Sequence, residues 1–286
     1  VIEAPVPDRI LASRDGTAIA VFESGIAARG TRPLILVHGT TSDHLTFRIV
    51  APMLGRRRRL YAIDRRGRGA SGDRPDAYEI AREFEDVAAV AEAVSESAGG
   101  VGVDVLGHSF GGRCALGAAL RTPAIRRVVS YEGAPPRDMD ADAAYEPGWL
   151  LGALRADLAA GDLEGLLERF MRTVVRMNDE GIARFRADPV WPLRVAAAPT
   201  ILRELEASND PAAGLEALSR VERPVLQVLG SASPAAFGVN TRALAARLPD
   251  SDLVVIDGAA HAAHHTHPTA FVAALEAFLD ADVPST

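Results

Sequence analysis

The pentapeptide Gly107-His108-Ser109-Phe110-Gly111 fits the pattern G-x-S-x-G. It follows an apolar run, Val101–Leu106, and opens a helical pattern that carries Cys114, Leu116 and Leu120. Glycines on both sides let the chain turn sharply from strand to helix, which lifts the serine hydroxyl to the top of the turn. The helix N-terminus beneath it favours a developing negative charge. In that context Ser109 reads as a nucleophile rather than as an incidental serine in a glycine-rich turn. A free hydroxyl is a weak nucleophile and needs a base. Of seven histidines, His38 and His108 lie inside strand-end motifs and His44 opens a helical stretch. The others cluster as His261, His264, His265 and His267. His261 follows the last apolar run, on a loop that a parallel sheet would bring to the edge that carries Ser109, and is the candidate base. The oxyanion of an acyl-transfer reaction would be held by the backbone N–H groups of Phe110 and of Thr40, in His38-Gly39-Thr40-Thr41. A metal site built on His261 and His265 is the weaker reading, because the segment reads as a loop without a carboxylate.

Composition narrows the chemistry further. All 31 basic residues among 286 are arginine, so no step can use a lysine base or a lysine Schiff base. The single cysteine, Cys114, excludes an internal disulfide and a cysteine-based zinc site, and its apolar helical setting predicts a buried thiol. A net charge of −7 argues against a nucleic-acid or anionic-membrane surface as partner. The run Arg56–Arg59 is expected to be a solvated helix-to-strand loop. The hexapeptide Gly67–Gly72 matches G-x-G-x-x-G, but Asp64-Arg65-Arg66 separate it from the preceding strand and a turn follows it, so a dinucleotide site is rejected. No cofactor and no metal are expected. The start of the chain lacks a signal-peptide profile and no apolar run is long enough to span a membrane, which predicts a cytoplasmic protein, monomer or homodimer, with a small-molecule substrate.

The elements that must position these groups follow from periodicity. Ile10–Ser13 and Ala18–Phe22 read as strands joined by a turn at Asp15-Gly16. Leu34–Val37, Leu60–Ile63, Val101–Leu106 and Val128–Tyr131 are short apolar runs separated by helical stretches at about 44–55, 79–97 and 110–121. That alternation predicts βαβ units and a parallel sheet. From about 135 to 220 only helical segments appear, near 149–160, 162–177, 179–187 and 193–207. Strands resume at Val225–Leu229 and Leu253–Ile256, with helices near 235–247 and 268–280. The reading is an α/β core formed by residues 1–134 and 221–286, interrupted by a helical cap at 135–220 that would cover a pocket.

Four motifs in this order resemble the α/β-hydrolase family along nearly the whole chain: His38-Gly39, Asp64-Arg65-Arg66-Gly67-Arg68-Gly69-Ala70-Ser71, the Ser109 turn, and Gly258-Ala259-Ala260-His261. The resemblance implies a mostly parallel twisted sheet of about eight strands flanked by helices. It also implies a serine esterase-like branch, because the epoxide hydrolases and haloalkane dehalogenases of the family carry aspartate at the nucleophile position. The family usually places its triad acid after the strand before the last. Here that segment is Gly230-Ser231-Ala232-Ser233-Pro234, with Ser233 where the aspartate would stand. A minority of the family carries the acid one strand earlier, which points to Glu132, whose extra methylene helps it reach a histidine two strands away; Asp257 is the competitor. The expected activity is hydrolysis of a carboxylic ester of a small, largely apolar substrate through an acyl-enzyme. Thioesterase, lactonase and carbon–carbon hydrolase are the alternatives, and a non-catalytic ligand binder on the same fold is the alternative of another class. A carbon–carbon hydrolase would want cations such as Arg65 or Arg113 near the serine. His38, Thr41, His108, Trp149, Trp191 and His264 are expected to border the pocket.

Overall fold

The computed structural model describes residues 5–75, 78–136 and 144–281. Eight strands form one sheet: β1 (Arg9–Ala12), β2 (Ala18–Gly25), β3 (Leu34–Val37), β4 (Arg59–Ile63), β5 (Val103–His108), β6 (Ile125–Tyr131), β7 (Val225–Gly230) and β8 (Ser251–Ile256). Their spatial order is β1-β2-β4-β3-β5-β6-β7-β8. β2 pairs antiparallel with β1 and with β4, and every pairing from β4 through β8 is parallel. The order reverses between β3 and β5, so the exits of these two strands open a crevice at the C-terminal edge, the usual ligand position of open α/β sheets.

The central strands are buried on both faces, as their unbroken apolar runs require. Alternate residues serve opposite layers. Ile35, Val37, Val103 and Val105 face helices α2 (Ile80–Ser97) and α3 (Phe110–Ala119). Leu34, Leu36, Leu106 and Val129 face α1 (Ala51–Leu54) and the last helix of the fold, Pro268–Leu279. Between β6 and β7 lie α4 (Leu150–Ala159), α5 (Leu163–Thr173), α6 (Asp179–Ala187), α7 (Trp191–Ala197), α8 (Thr200–Ala207) and the short α9 (Leu215–Leu218). Leu150, Leu154, Leu166, Phe170, Ile201 and Leu205 of this block form a third apolar cluster, which meets the sheet at Leu229 and at Phe237 of α10 (Ala235–Ala245).

Several boundaries differ from the periodicity reading, for local reasons. The helix expected near 44–55 is a 3₁₀ turn, His44–Phe47, followed by the one-turn α1, which has Pro52 in its first turn. A proline ring fits that position and would clash further inside a helix. Pro199 likewise divides the helix expected at 193–207 into α7 and α8. β5 begins two residues late, because Gly102 is left-handed and Val101 is exposed. Arg56–Arg58 form a loop and Arg59 opens β4, yet the run is not simply solvated. Arg58 is buried and pairs with Asp280 at the end of the last helix, and Arg57 reaches the same carboxylate at 2.7 Å.

Candidate active site

Ser109 joins β5 directly to α3 with φ 54° and ψ −125°, a conformation that L residues rarely adopt. Strain of this kind is of the order of 1–3 kcal/mol and persists where packing dictates it. Here the packing is tight. A Cβ on Gly111 would fall 2.3 Å from the carbonyl oxygens of Val37 and His38, so glycine allows α3 to close onto the exit of β3. A Cβ on Gly39 would come within 3.0 Å of Ser109 Cβ. The turn after β3, with Thr40, therefore lies against the serine from one side, and Phe110 begins α3 on the other.

The loop after β8 brings His261 to the same edge. His108, the neighbour of Ser109, donates from Nε2 to the His261 carbonyl at 2.9 Å, and the two rings are 4.7 Å apart. Tyr131, at the end of β6, holds the loop on both sides of His261: its hydroxyl donates to the Ala260 carbonyl at 2.5 Å and accepts from the Ala263 N–H at 2.9 Å. Phe237 stacks on the imidazole at 4.3 Å. His261 Nδ1 hydrogen-bonds to Glu132 Oε2. A carboxylate accepts only, so Nδ1 carries the proton and Nε2 is left as an acceptor. Glu132 is itself left-handed, with φ 49°, and buried. Its second oxygen, Oε1, accepts from Gly230 N at 2.8 Å and from Ser233 Oγ at 2.5 Å. Asp257 is exposed and accepts from Ser231 instead. A direct hydrogen bond from Ser109 to His261 is not among those formed by the described residues. Such bonds often tighten only when substrate binds.

The residues expected around the pocket divide into several groups. His38 is fully buried: Nε2 accepts from Arg65 N at 2.9 Å and Nδ1 donates to the Gly39 carbonyl, which leaves no ring nitrogen for a ligand. Burial, aided by Arg65, holds its pKa well below 6.5. His108 and His264 are buried, packed at 4.5 Å, and burial pushes both well down. Thr41 is left-handed and its carbonyl accepts from Arg194 of α7 at 3.0 Å. Trp149, expected at the pocket, is 57% exposed at the start of α4. Trp191 packs edge-on against Phe185 and donates to Glu164, so it belongs to the interior of the inserted helices. In both cases helical apolar spacing did not distinguish a pocket wall from helix–helix packing or from surface. Tyr131 and Phe237 were missed; neither carries a sequence signal beyond its place beside Glu132 or in an apolar helix.

The arginines near the serine are unlike one another. Arg65 is fully buried and paired with Glu83 at 2.7 Å and with Glu204 of α8. Arg68 shares Glu204. Arg113 forms no ion pair among the described residues, and the one hydrogen bond its side chain makes to them is to the Ala134 carbonyl at 3.4 Å. Cys114 is buried, and burial raises its thiol well above the ordinary range, so it is not a nucleophile at neutral pH. Among the described residues no group of three or more potential ligands is placed to hold a metal ion, and no helix is long and apolar enough to cross a membrane. The Gly67–Gly72 loop folds onto itself, with Gly67 N donating to the Gly72 carbonyl and Ala70 N to Asp64.

This sheet, with a serine at its strand-to-helix elbow and a carboxylate-bound histidine at the same edge, defines an α/β-hydrolase architecture. Residues 34–275 match the model of the Alpha/beta hydrolase family, and the chain belongs to that family. It is 28% identical over 262 residues to the 2-(acetamidomethylene)succinate hydrolase of Mesorhizobium japonicum, covering 90% of this chain and 91% of that protein. It is 30% identical over 266 residues to a pimeloyl-[acyl-carrier protein] methyl ester esterase of Neisseria meningitidis, covering 89% and 79%. The crystal structure of an α/β hydrolase from Sphaerobacter thermophilus superposes with a TM-score of 0.74 at 30% identity, covering 86% of this chain and 91% of that one.

Proposed function

We propose that the protein is a serine hydrolase that cleaves a carboxylic ester, or a closely related acyl bond, of a small molecule. Ser109 Oγ attacks the carbonyl carbon while His261 Nε2 takes its proton. The tetrahedral oxyanion is held by the N–H groups of Phe110 and Thr40. The carbonyl re-forms, the bond to the leaving alcohol breaks, and His261 returns the proton to that oxygen. Water then attacks the acyl-enzyme with His261 again as base, releasing the acid and restoring Ser109. Glu132 keeps the imidazole in the required tautomer and stabilises its charged form. No step needs a metal or an organic cofactor.

The observation that carries this reading is the contact from Glu132 to His261 Nδ1, next to a serine on a strained elbow. The relatives support it at the level of class, since their names describe hydrolysis of a methyl ester and of an acetamido compound. A ligand-binding protein without activity would have no use for a buried carboxylate oriented on the far nitrogen of a histidine beside that serine. The test is labelling with a fluorophosphonate probe together with turnover of p-nitrophenyl esters of increasing acyl length. The expected result is stoichiometric label and measurable hydrolysis, both abolished in Ser109→Ala. A wild-type protein that neither labels nor hydrolyses any of the esters would refute the proposal.

A further inference from the structure

Arg113 is a buried cation beside the serine that the mechanism above does not use. It lies one helical turn below the serine, with its N–H bonded to the Ser109 carbonyl at 3.3 Å. The residue is 5% exposed. The guanidinium carbon stands 5.7 Å from the ring of Phe110, whose N–H is the proposed oxyanion donor. Nη2 reaches the Ala134 carbonyl, two residues beyond Glu132, and Tyr145 donates to that same carbonyl at 2.5 Å. Tyr145 in turn packs on Phe237, which stacks on His261. The guanidinium thus sits in the wall shared by nucleophile, acid and base.

Unlike the paired Arg65 and Arg66, it lacks a compensating carboxylate among the described residues. A guanidinium offers five N–H donors. Among the described residues Nε and Nη1 of Arg113 are buried without a partner, and Nη2 makes one long bond. A buried charge left in this state costs several kcal/mol unless a partner arrives. Among the described residues the carboxylates that face it stop short of pairing: Glu204 is engaged by Arg65 and Arg68, and Glu146 carries a buried oxygen without a partner. Burial pushes Glu146 up to about 7, which weakens it as a counter-ion at neutral pH. The neighbouring Arg65 shows that this fold supplies carboxylates to a buried arginine where the arginine is structural.

We infer that Arg113 is the specificity-determining residue of a carboxylate-recognition subsite, so that the substrate is an ester or related acyl compound bearing a second, anionic group. This rests on the hydrolase reading and refines it: the expectation of a largely apolar substrate gives way to one with an apolar linker and a carboxylate at its end. Arg113 takes part in no bond-making step.

The experiment compares the p-nitrophenyl monoester of glutaric acid with p-nitrophenyl pentanoate, which has a methyl group in place of the carboxylate. The wild type should favour the anionic ester in kcat/KM, by on the order of tenfold to a hundredfold, the range of a charge-assisted hydrogen bond or two. In Arg113→Met the ratio of the two substrates should collapse towards one, whatever the absolute rates, and Arg113→Lys should keep part of it. Because the readout is a ratio within one protein, partial misfolding does not imitate it. A wild type with no preference, or an Arg113→Met protein with the ratio intact, overturns the subsite and leaves the serine hydrolase standing. Failure of the hydrolase reading looks different: neither ester is turned over and the probe does not label. Titration of free glutarate then decides, since binding by the wild type that is lost in Arg113→Met supports the subsite, and absence of binding overturns it.

Discussion

Two histidine–carboxylate pairs stand at the C-terminal edge of the sheet. In one, His261 Nδ1 meets Glu132; in the other, His44 Nδ1 meets Asp64 Oδ1 at 2.8 Å. Both carboxylates are buried and both are held by backbone amides, Gly230 N in the first pair, His44 N and Ala70 N in the second. A search for oriented imidazoles alone would rank them together. Their surroundings separate them. His44 lies flat on Phe22 at 3.6 Å, and its Nε2 is buried with no partner among the described residues. That pair ties the 3₁₀ turn after β3 to the exit of β4. His261 is gripped from both sides by Tyr131 and lies against His108, the residue before the strained serine. The carboxylate sets the tautomer in both cases, and the element that faces the other nitrogen decides whether any chemistry follows.

The largest effect should come from neutralising the two acids in turn. Glu132→Gln should lower kcat by on the order of 10³–10⁴, since an amide can present its N–H to Nδ1 and impose the wrong tautomer. Asp64→Asn should leave kcat within several-fold and instead cost about 1–3 kcal/mol of stability, the penalty for unmatched buried donors. Steady-state kinetics and denaturant unfolding of the two variants are the measurements. Equal losses of activity would erase the distinction drawn between the pairs, and a fully active Glu132→Gln would remove Glu132 from the mechanism.

This contrast also shows what a single sequence reveals. The strand-to-helix serine was legible because strand run, glycines and helix pattern are all local, and the order of motifs carried the fold with it. The pairing of Glu132 with His261 could be expected only through resemblance, because the usual acid position holds a serine. The structure adds the physical link: Ser233 donates to Glu132 Oε1, so the two positions converge on one oxygen. The grip of Tyr131 on the His261 loop was not legible, because it joins residues far apart in sequence through a single hydroxyl. The pairing of Arg65 with Glu204 depends on how α8 docks against the core, and no periodicity encodes that. The exposure of Trp149 and the packing of Trp191 among the inserted helices depend on helix docking in the same way.

A smaller effect tests whether the acid's place is fixed by the backbone or by what reaches Nδ1. Adding Ser233→Asp to Glu132→Gln puts a carboxylate on the loop after β7, and should recover about tenfold in kcat over Glu132→Gln alone, within the few kcal/mol that a charge-assisted bond supplies. No recovery would mean that this loop cannot bring a carboxylate to His261. Ser233→Ala alone removes one hydrogen bond from Glu132 and should cost no more than about 0.5–1.5 kcal/mol in transition-state stabilisation, read in kcat rather than KM.

The smallest effect concerns acid stability, and it falls unevenly on the two regions. His108, His264 and His265 surround the His261 loop, and His38 lies beside the Asp64 arm; burial depresses all four below 6.5. For His265, burial together with Arg48 and Arg194 brings the value to about 4. Between pH 6.5 and 4 the unfolded chain therefore binds a proton at this residue that the folded chain refuses. Unfolding is favoured as pH falls through that window, and the dependence vanishes above it, where both states are neutral. His265→Gln removes that proton from the balance. Its stability should fall less steeply than the wild type's between pH 6.5 and 4, by at most about 1.4 kcal/mol per pH unit, with parallel behaviour above pH 7. Urea midpoints at stepped pH measure the difference. Superimposable pH profiles would mean that His265 protonates as readily in the folded protein as in the unfolded chain.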